Sequence, residues 1–234
     1  MSHYYFDKIS GSYFPSVSTI LQATLEEPDG IRQWKLKNKN WKTLLSDSAK
    51  IGTLVHYAIL NPISDYTLDC GDLPKLSEWP SDTSQKLELS VMMLNELLKK
   101  KKMTFLQPRM IESKIINHEE KYAGKFDLCC PVICKEFELN GEKVLFDIKT
   151  SARVQNTHLL QLGGYWKGFP KDEKPNRVGI IKITPDARRN PRLEAELHIY
   201  TKAQAEMWGA QFLTLARRFH AENMKPKDGI DKVD

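Results

Sequence analysis

The stretch Val144-Leu145-Phe146-Asp147-Ile148-Lys149-Thr150 reads as an apolar strand, and its two-residue period sets Asp147 and Lys149 on the same face. The pairing suits hydrolysis. A carboxylate can hold a divalent cation through oxygen, while an ammonium can orient an attacking water or steady the charge on a phosphate. Alone, an acid-x-lysine strand is common, and its ordinary meaning is an ion pair at a strand end. The strand before it changes that reading: Tyr122-Ala123-Gly124-Lys125-Phe126-Asp127 delivers a second carboxylate. Two buried carboxylates repel unless a cation sits between them, so Asp127 with Asp147 predicts a metal site. Met110-Ile111-Glu112-Ser113-Lys114 offers a rival pattern with no carboxylate strand upstream. Glu112 is therefore expected as an acid standing behind the metal ligands, and Lys114 as solvated.

Working outward, helical periodicity precedes residue 104 and alternation follows it. Pro15-Ser16-Val17-Ser18 predicts a turn and N-cap for a helix to about Leu25. Asp29 caps a short helix carrying Trp34, a third runs from about Thr43 to Pro62, and 65–80 reads as loop. Ser81 or Thr83 opens a helix ending in Lys99-Lys100-Lys101-Lys102, a basic run that favours the helix dipole. Strands are then expected over 105–117 and 122–130, joined by His118-Glu119-Glu120-Lys121, and over 143–150 after an Asn140-Gly141 turn. A helix from 156 to 168, strands over 177–184 and 193–200, and an amphipathic helix from Thr201 complete the pattern. The tail from Asn223 is charged and expected to fray. This order predicts one α/β domain on a central mixed sheet: a mainly helical part over 1–104, a sheet-containing core over 105–222, and a tail over 223–234.

Composition narrows the classes. The 234 residues carry 35 Lys+Arg against 30 Asp+Glu, a net charge of +5, with 41% hydrophobic and 28% charged residues. That excludes a disordered chain, and no apolar run approaches the roughly 20 residues that cross a bilayer. Met1 to Tyr13 lacks a cationic region followed by an apolar one, so no secretory signal is read and a cytoplasmic location without membrane partners is expected. Of the 4 cysteines, Cys129, Cys130 and Cys134 fall close together without repeated metal-ligand spacing. On a strand, Cys129 and Cys130 point to opposite faces, and all three are expected as core thiols.

Four motifs in order resemble the RecB-type branch of the PD-(D/E)XK nuclease superfamily, particularly phage-like and mitochondrial genome maintenance exonuclease-like members. They are Gly52-Thr53-Leu54-Val55-His56, Gly124-Lys125-Phe126-Asp127, Asp147-Ile148-Lys149-Thr150-Ser151 and Gln161-Leu162-Gly163-Gly164-Tyr165. The opening Phe14-Pro15-Ser16-Val17-Ser18-Thr19-Ile20-Leu21 is also similar, and the resemblance covers about residues 13 to 200. Gly52 and His56 share one helical face, where a small residue admits close approach to the sheet. Gln161 and Tyr165 likewise lie one turn apart, where an amide and a phenol can hold a phosphate or align a lysine.

The resemblance implies a restriction-endonuclease-like core and a Mg²⁺- or Mn²⁺-dependent DNA exonuclease acting on ends or single strands in recombination, repair or degradation. It implies His56, Asp127, Asp147 and the Ile148 carbonyl as metal ligands, with Asp127, Asp147, Lys149, Gln161 and Tyr165 as the catalytic set. It places Thr53, Thr150 and Ser151 against DNA. Arg188 and Arg189, in the loop between the last two strands, suit backbone phosphates, and Trp34, Trp41 and Tyr57 are candidate stacking platforms. Some relatives carry iron–sulfur clusters, but no cysteine follows Tyr165 or precedes His56, so no cluster is expected. Recombination or replication proteins are conceivable partners; oligomeric state is not legible. Two rival readings share the fold: a non-catalytic nucleic-acid-binding accessory protein, and a structure-specific endonuclease.

Overall fold

Near-continuous burial along the central strands builds the molecule around a sheet with a hydrophobic layer on each face. The computed structural model describes residues 2–27, 29–63, 79, 81–185, 195–225 and 230–233. The elements run β1 (Ser2–Asp7), β2 (Ser12–Pro15), α1 (Val17–Thr24), α2 (Asp29–Lys37), α3 (Trp41–Leu60) and α4 (Thr83–Lys101). They continue with β3 (Thr104–Phe105), β4 (Met110–Asn117), β5 (Tyr122–Cys134), β6 (Leu139–Lys149) and α5 (Asn156–Gly168). The chain then adds β7 (Arg177–Lys182), β8 (Glu196–Thr201), α6 (Lys202–Ala221) and β9 (Ile230–Val233).

The main sheet has the order β3-β5-β6-β7-β8, with β4 also paired to β5. Strands β6 and β7 are parallel and joined through α5, whereas β4–β5, β5–β6 and β7–β8 are antiparallel. This is a mixed α/β fold. Cys129, Leu145, Val178 and Ile180 pack with residues of α1, α5 and α6, while Leu128, Cys130, Val144, Phe146 and Ile148 pack with α3 and α4. Cys129 and Cys130 thus face opposite layers, and burial pushes both thiols up to about 12. No described helix is long and apolar enough to cross a membrane.

Local chemistry sets the helix starts. Ser16 Oγ accepts from the Thr19 amide at 3.0 Å and caps α1. Thr201 and Gln204 form a reciprocal capping box at α6, as Gln155 and His158 do at α5. Helix α5 crosses α6 where a Cβ on Gly163 would lie 2.5 Å from the Gly209 nitrogen. Only backbone fits there.

Several boundaries differ from the sequence reading. Residues 2–15 are not helical: β1 and β2 form an antiparallel hairpin through Gly11, at a φ of +65°. The expected frayed tail contributes β9, which pairs in parallel with β1 from Ser2–Ile230 to Tyr5–Val233. The expected strand over 105–117 is split into β3 and β4, because Pro108 in the gap has no amide hydrogen to give the ladder. The β5–β6 connection is a 3-10 turn at Lys135–Phe137, and Asn140-Gly141 lies inside β6. Val132 pairs with Glu142 and Ile133 with Asn140, so Gly141, at a φ of +93°, is the extra residue of a β-bulge. Of the predicted loop over 65–80, only residue 79 lies within the described residues.

The Gly163 contact yields a stability prediction. Gly163→Ala should cost about 1–3 kcal/mol, since the added methyl meets the α6 backbone rather than a movable side chain. Urea unfolding followed by circular dichroism checks it, and an unchanged midpoint would contradict the crossing.

Candidate metal centre

The antiparallel register brings the acids together. Strand β4 pairs Ile111 with Leu128 and Ser113 with Phe126, which leaves Glu112 facing Asp127 across the ladder. On the other side of β5, Leu128 pairs with Phe146. The amide of the β6 residue Ile148 donates to Asp127 Oδ2 at 2.5 Å. Helix α3 lies over this rim, with His56 Nδ1 3.4 Å from Asp127 Oδ1. One ligand atom each from His56, Glu112 and Asp127 lie within 4.8 Å of one another.

Asp147 and Lys149 occupy the adjacent end of β6. Lys149 Nζ lies 2.8 Å from Asp147 Oδ2 and donates to Gln161 Oε1 at 2.9 Å. The Gln161 amide in turn donates to Tyr165 Oη at 2.7 Å. Asp147 is only 2% exposed, and its Oδ2 accepts no well-directed hydrogen bond despite the nearby ammonium. Gly124 is needed here, because a Cβ on it would lie 2.7 Å from the Tyr165 ring. Gly52 is different: a Cβ there would stand at an ordinary 3.4 Å from Thr150 Oγ1, so the approach of α3 does not demand glycine.

The electrostatics follow from burial. Burial raises the Asp147 pKa, and Lys149 only partly counters it while Asp127 adds repulsion. Burial would also raise Asp127, but His56, Lys149 and the Ile148 amide hold it below the usual carboxylate value. Burial opposes charge on His56, and the Asp127 carboxylate outweighs that, so the imidazole titrates above the ordinary histidine value. Burial and the Asp127 charge raise Glu112. Burial pushes the Tyr165 phenol far up, keeping it neutral. Burial, with Lys149 nearby, pushes His158 down to about 4.

These donors fit a divalent cation. Two carboxylates and an imidazole within ligand range could hold a metal ion, and Asp147 adds a buried oxygen lacking a directed donor. Three carboxylates share the rim with two lysines, Lys149 and Lys125, so one negative charge remains when His56 is neutral.

The structure therefore gathers His56, Asp127, Asp147, Lys149, Gln161 and Tyr165. It changes one placement: Glu112, expected behind the ligands, stands in the tightest cluster, where Asp147 does not. Its signal was available, since counting back from the Asn117–Tyr122 pair across the hairpin places residue 112 opposite 127. Lys125 was also missed as a charge in the site; its Nζ lies 2.7 Å from Glu112 Oε2. Ile148 enters through its amide, and its carbonyl as a ligand rests on the resemblance alone. Lys114 is exposed, as expected.

The proposed DNA contacts are less uniform. Thr53 is exposed, and its hydroxyl donates to the Ala49 carbonyl of its own helix at 3.2 Å. Thr150 is half-buried beside Gly52, and Ser151 Oγ donates to the Arg153 carbonyl at 2.9 Å. Arg188 and Arg189 lie outside the described residues. Trp41 carries Lys35 and Lys42 at 4.5 and 5.7 Å from its ring centre, Trp34 is partly exposed, and Tyr57 packs on the α3–α4 core. Unpredicted ties hold the segment after Lys149: Lys182 donates to the Ala152 carbonyl at 3.1 Å, and Thr184 to that of Ser151 at 3.3 Å.

Comparison with known proteins adds little. No family model matches the chain. No curated protein matches it. Among solved structures, one described as the crystal structure of SSO0001 aligns at 19% identity with a TM-score of 0.37, over 64% of this chain. The chain covers 64% of that protein's length.

The buried acid sets a stability prediction. Because its pKa is raised in the fold, ionised Asp147 opposes folding at neutral pH, and that penalty disappears as pH falls below its ordinary unfolded value. In EDTA, Asp147→Asn should stabilise the protein at pH 7.5 by on the order of 1–2 kcal/mol, with the gain shrinking toward pH 4. Thermal melts across that range check the sign, and a destabilised variant at neutral pH would refute the charge assignment.

Proposed function

We propose that the protein is a Mg²⁺- or Mn²⁺-dependent deoxyribonuclease that hydrolyses phosphodiester bonds at DNA ends or in single strands. The observation that carries this reading is the meeting, at one sheet rim, of the His56–Glu112–Asp127 cluster with the Asp147–Lys149–Gln161–Tyr165 chain. The ordered motif resemblance supports it.

His56, Glu112 and Asp127 would hold the cation, with Asp147 supplying a further oxygen. A divalent cation bound there polarises a phosphate and lowers the pKa of water. The remaining work falls to the chain. Lys149, 16% exposed at its side chain, is aligned by Asp147 and Gln161, so its ammonium can orient a nucleophilic water or neutralise charge building on the phosphate. Gln161 accepts from Lys149 and donates to Tyr165, which fixes the amide's orientation. Tyr165 stays neutral and anchors that amide from the α5 side. His158, with its depressed pKa, adds no second cation near Lys149 at neutral pH.

The test is incubation with end-labelled single- and double-stranded DNA in Mg²⁺, Mn²⁺ or EDTA, beside covalently closed circles. Metal-dependent product from linear DNA, with circles intact, is expected. Asp147→Ala and Lys149→Ala should each lower the rate at least about 100-fold while retaining the native circular-dichroism spectrum. Full activity in EDTA, or in either variant, removes the assignment. Binding without product favours an accessory protein, and nicked circles an endonuclease.

A further inference from the structure

Glu112 sits in β4 with a φ of +47°, the left-handed region, although it is not glycine. That conformation is strained for an L-residue, because Cβ crowds the following carbonyl oxygen. Its partner Lys125, on the neighbouring strand β5, approaches its Oε2 to 2.7 Å, with side-chain exposures of 36% for the lysine and 27% for the acid. An ion pair this open to solvent contributes little, too little to offset the strain. The same backbone turn sets the Glu112 carboxylate within ligand range of His56 and Asp127. The pair therefore reads as a site component rather than a surface bridge.

Charge explains the second partner. Without a cation, Glu112, Asp127 and Asp147 crowd one rim, and Lys125 and Lys149 each neutralise one of them. A divalent cation held by Glu112 competes directly with Lys125 for the same carboxylate. Lys149 remains held by Gln161 and keeps its place, whereas the Lys125 side chain, 36% exposed against 16% for Lys149, lies closer to solvent and to an arriving polyanion. The ammonium then faces whatever anion the cation binds.

Resting on the nuclease reading, we propose that Lys125 is an exchangeable counter-ion: it neutralises Glu112 in the cation-free protein and passes to a backbone phosphate of the bound DNA strand once a divalent cation takes that carboxylate. Cation and polyanion then bind cooperatively, each clearing the way for the other. Lys125 positions the strand and takes no part in proton transfer.

The experiment uses Ca²⁺ as the cation and a single-stranded oligodeoxynucleotide as the polyanion. Calorimetry measures Ca²⁺ binding to the free protein, and fluorescence anisotropy measures oligonucleotide binding with and without Ca²⁺. In the unaltered protein, Ca²⁺ should tighten oligonucleotide binding about tenfold, within the usual range for coupled sites. Lys125→Met should bind Ca²⁺ alone more tightly, having lost the competitor, yet lose most of that coupling. Lys125→Arg should restore it.

If Lys125→Met binds Ca²⁺ alone no more tightly than the unaltered protein, the exchange is overturned. An unchanged coupling in Lys125→Met overturns the phosphate contact. Tighter Ca²⁺ binding in the variant, with no oligonucleotide binding by either protein, upholds the Lys125–Glu112 competition while the nuclease reading and the phosphate contact fall together.

Discussion

Crowding three carboxylates at one buried rim is the constraint to which the rest of this structure responds. Like charges in a low-dielectric setting repel strongly, and each acid here has a distinct remedy. Asp127 takes the Ile148 amide and the His56 imidazole, Glu112 takes Lys125, and Asp147 takes Lys149 without a well-directed hydrogen bond. The compensation is incomplete, as the raised Asp147 and Glu112 show. A site of this kind holds unfavourable electrostatic energy that a bound cation relieves.

The scaffold keeps that arrangement rigid by backbone means. Asp127 and Glu112 are placed by the β4–β5 ladder, and Asp147 and Lys149 by β6, whose parallel neighbour β7 also anchors the segment that follows. Gln161 and Tyr165 arrive on the crossover helix, which is locked to α6 where two glycines let the backbones meet. Of the paired glycines of the Gln161–Tyr165 motif, Gly163 is explained by that crossing and Gly164 by the Phe212 and Val17 side chains, which would lie 3.0 Å from its Cβ. The motif's polar residues, one turn apart, are explained by their hold on Lys149.

What was legible in the sequence was what depends on short-range periodicity. Alternation located the central strands and put Cys129 and Cys130 on opposite faces, and helical spacing placed His56, Gln161 and Tyr165 on usable faces. Long-range pairing was not legible. Strand β9 meets β1 across nearly the whole chain, so the aromatic run Tyr4-Tyr5-Phe6 had no visible partner. Asn140-Gly141 carries the residues of a tight turn, yet the same positive φ serves a bulge, and local preference cannot separate the two. Glu112 was undervalued because a strand pattern read in isolation ignores register. Nothing in the geometry names a DNA strand, and that partner stands on the resemblance and on the charge chemistry.

The two adjacent thiols have a use that their inertness suggests. Cys129 belongs to the layer with α5 and α6, and Cys130 to the layer with α3 and α4, and neither is exposed. A thiol reagent reaches each only when the overlying helices lift away, so modification at these neighbours reports separately on the opening of the two halves of the interior. One dipeptide thereby offers two clocks, one for each side of the sheet.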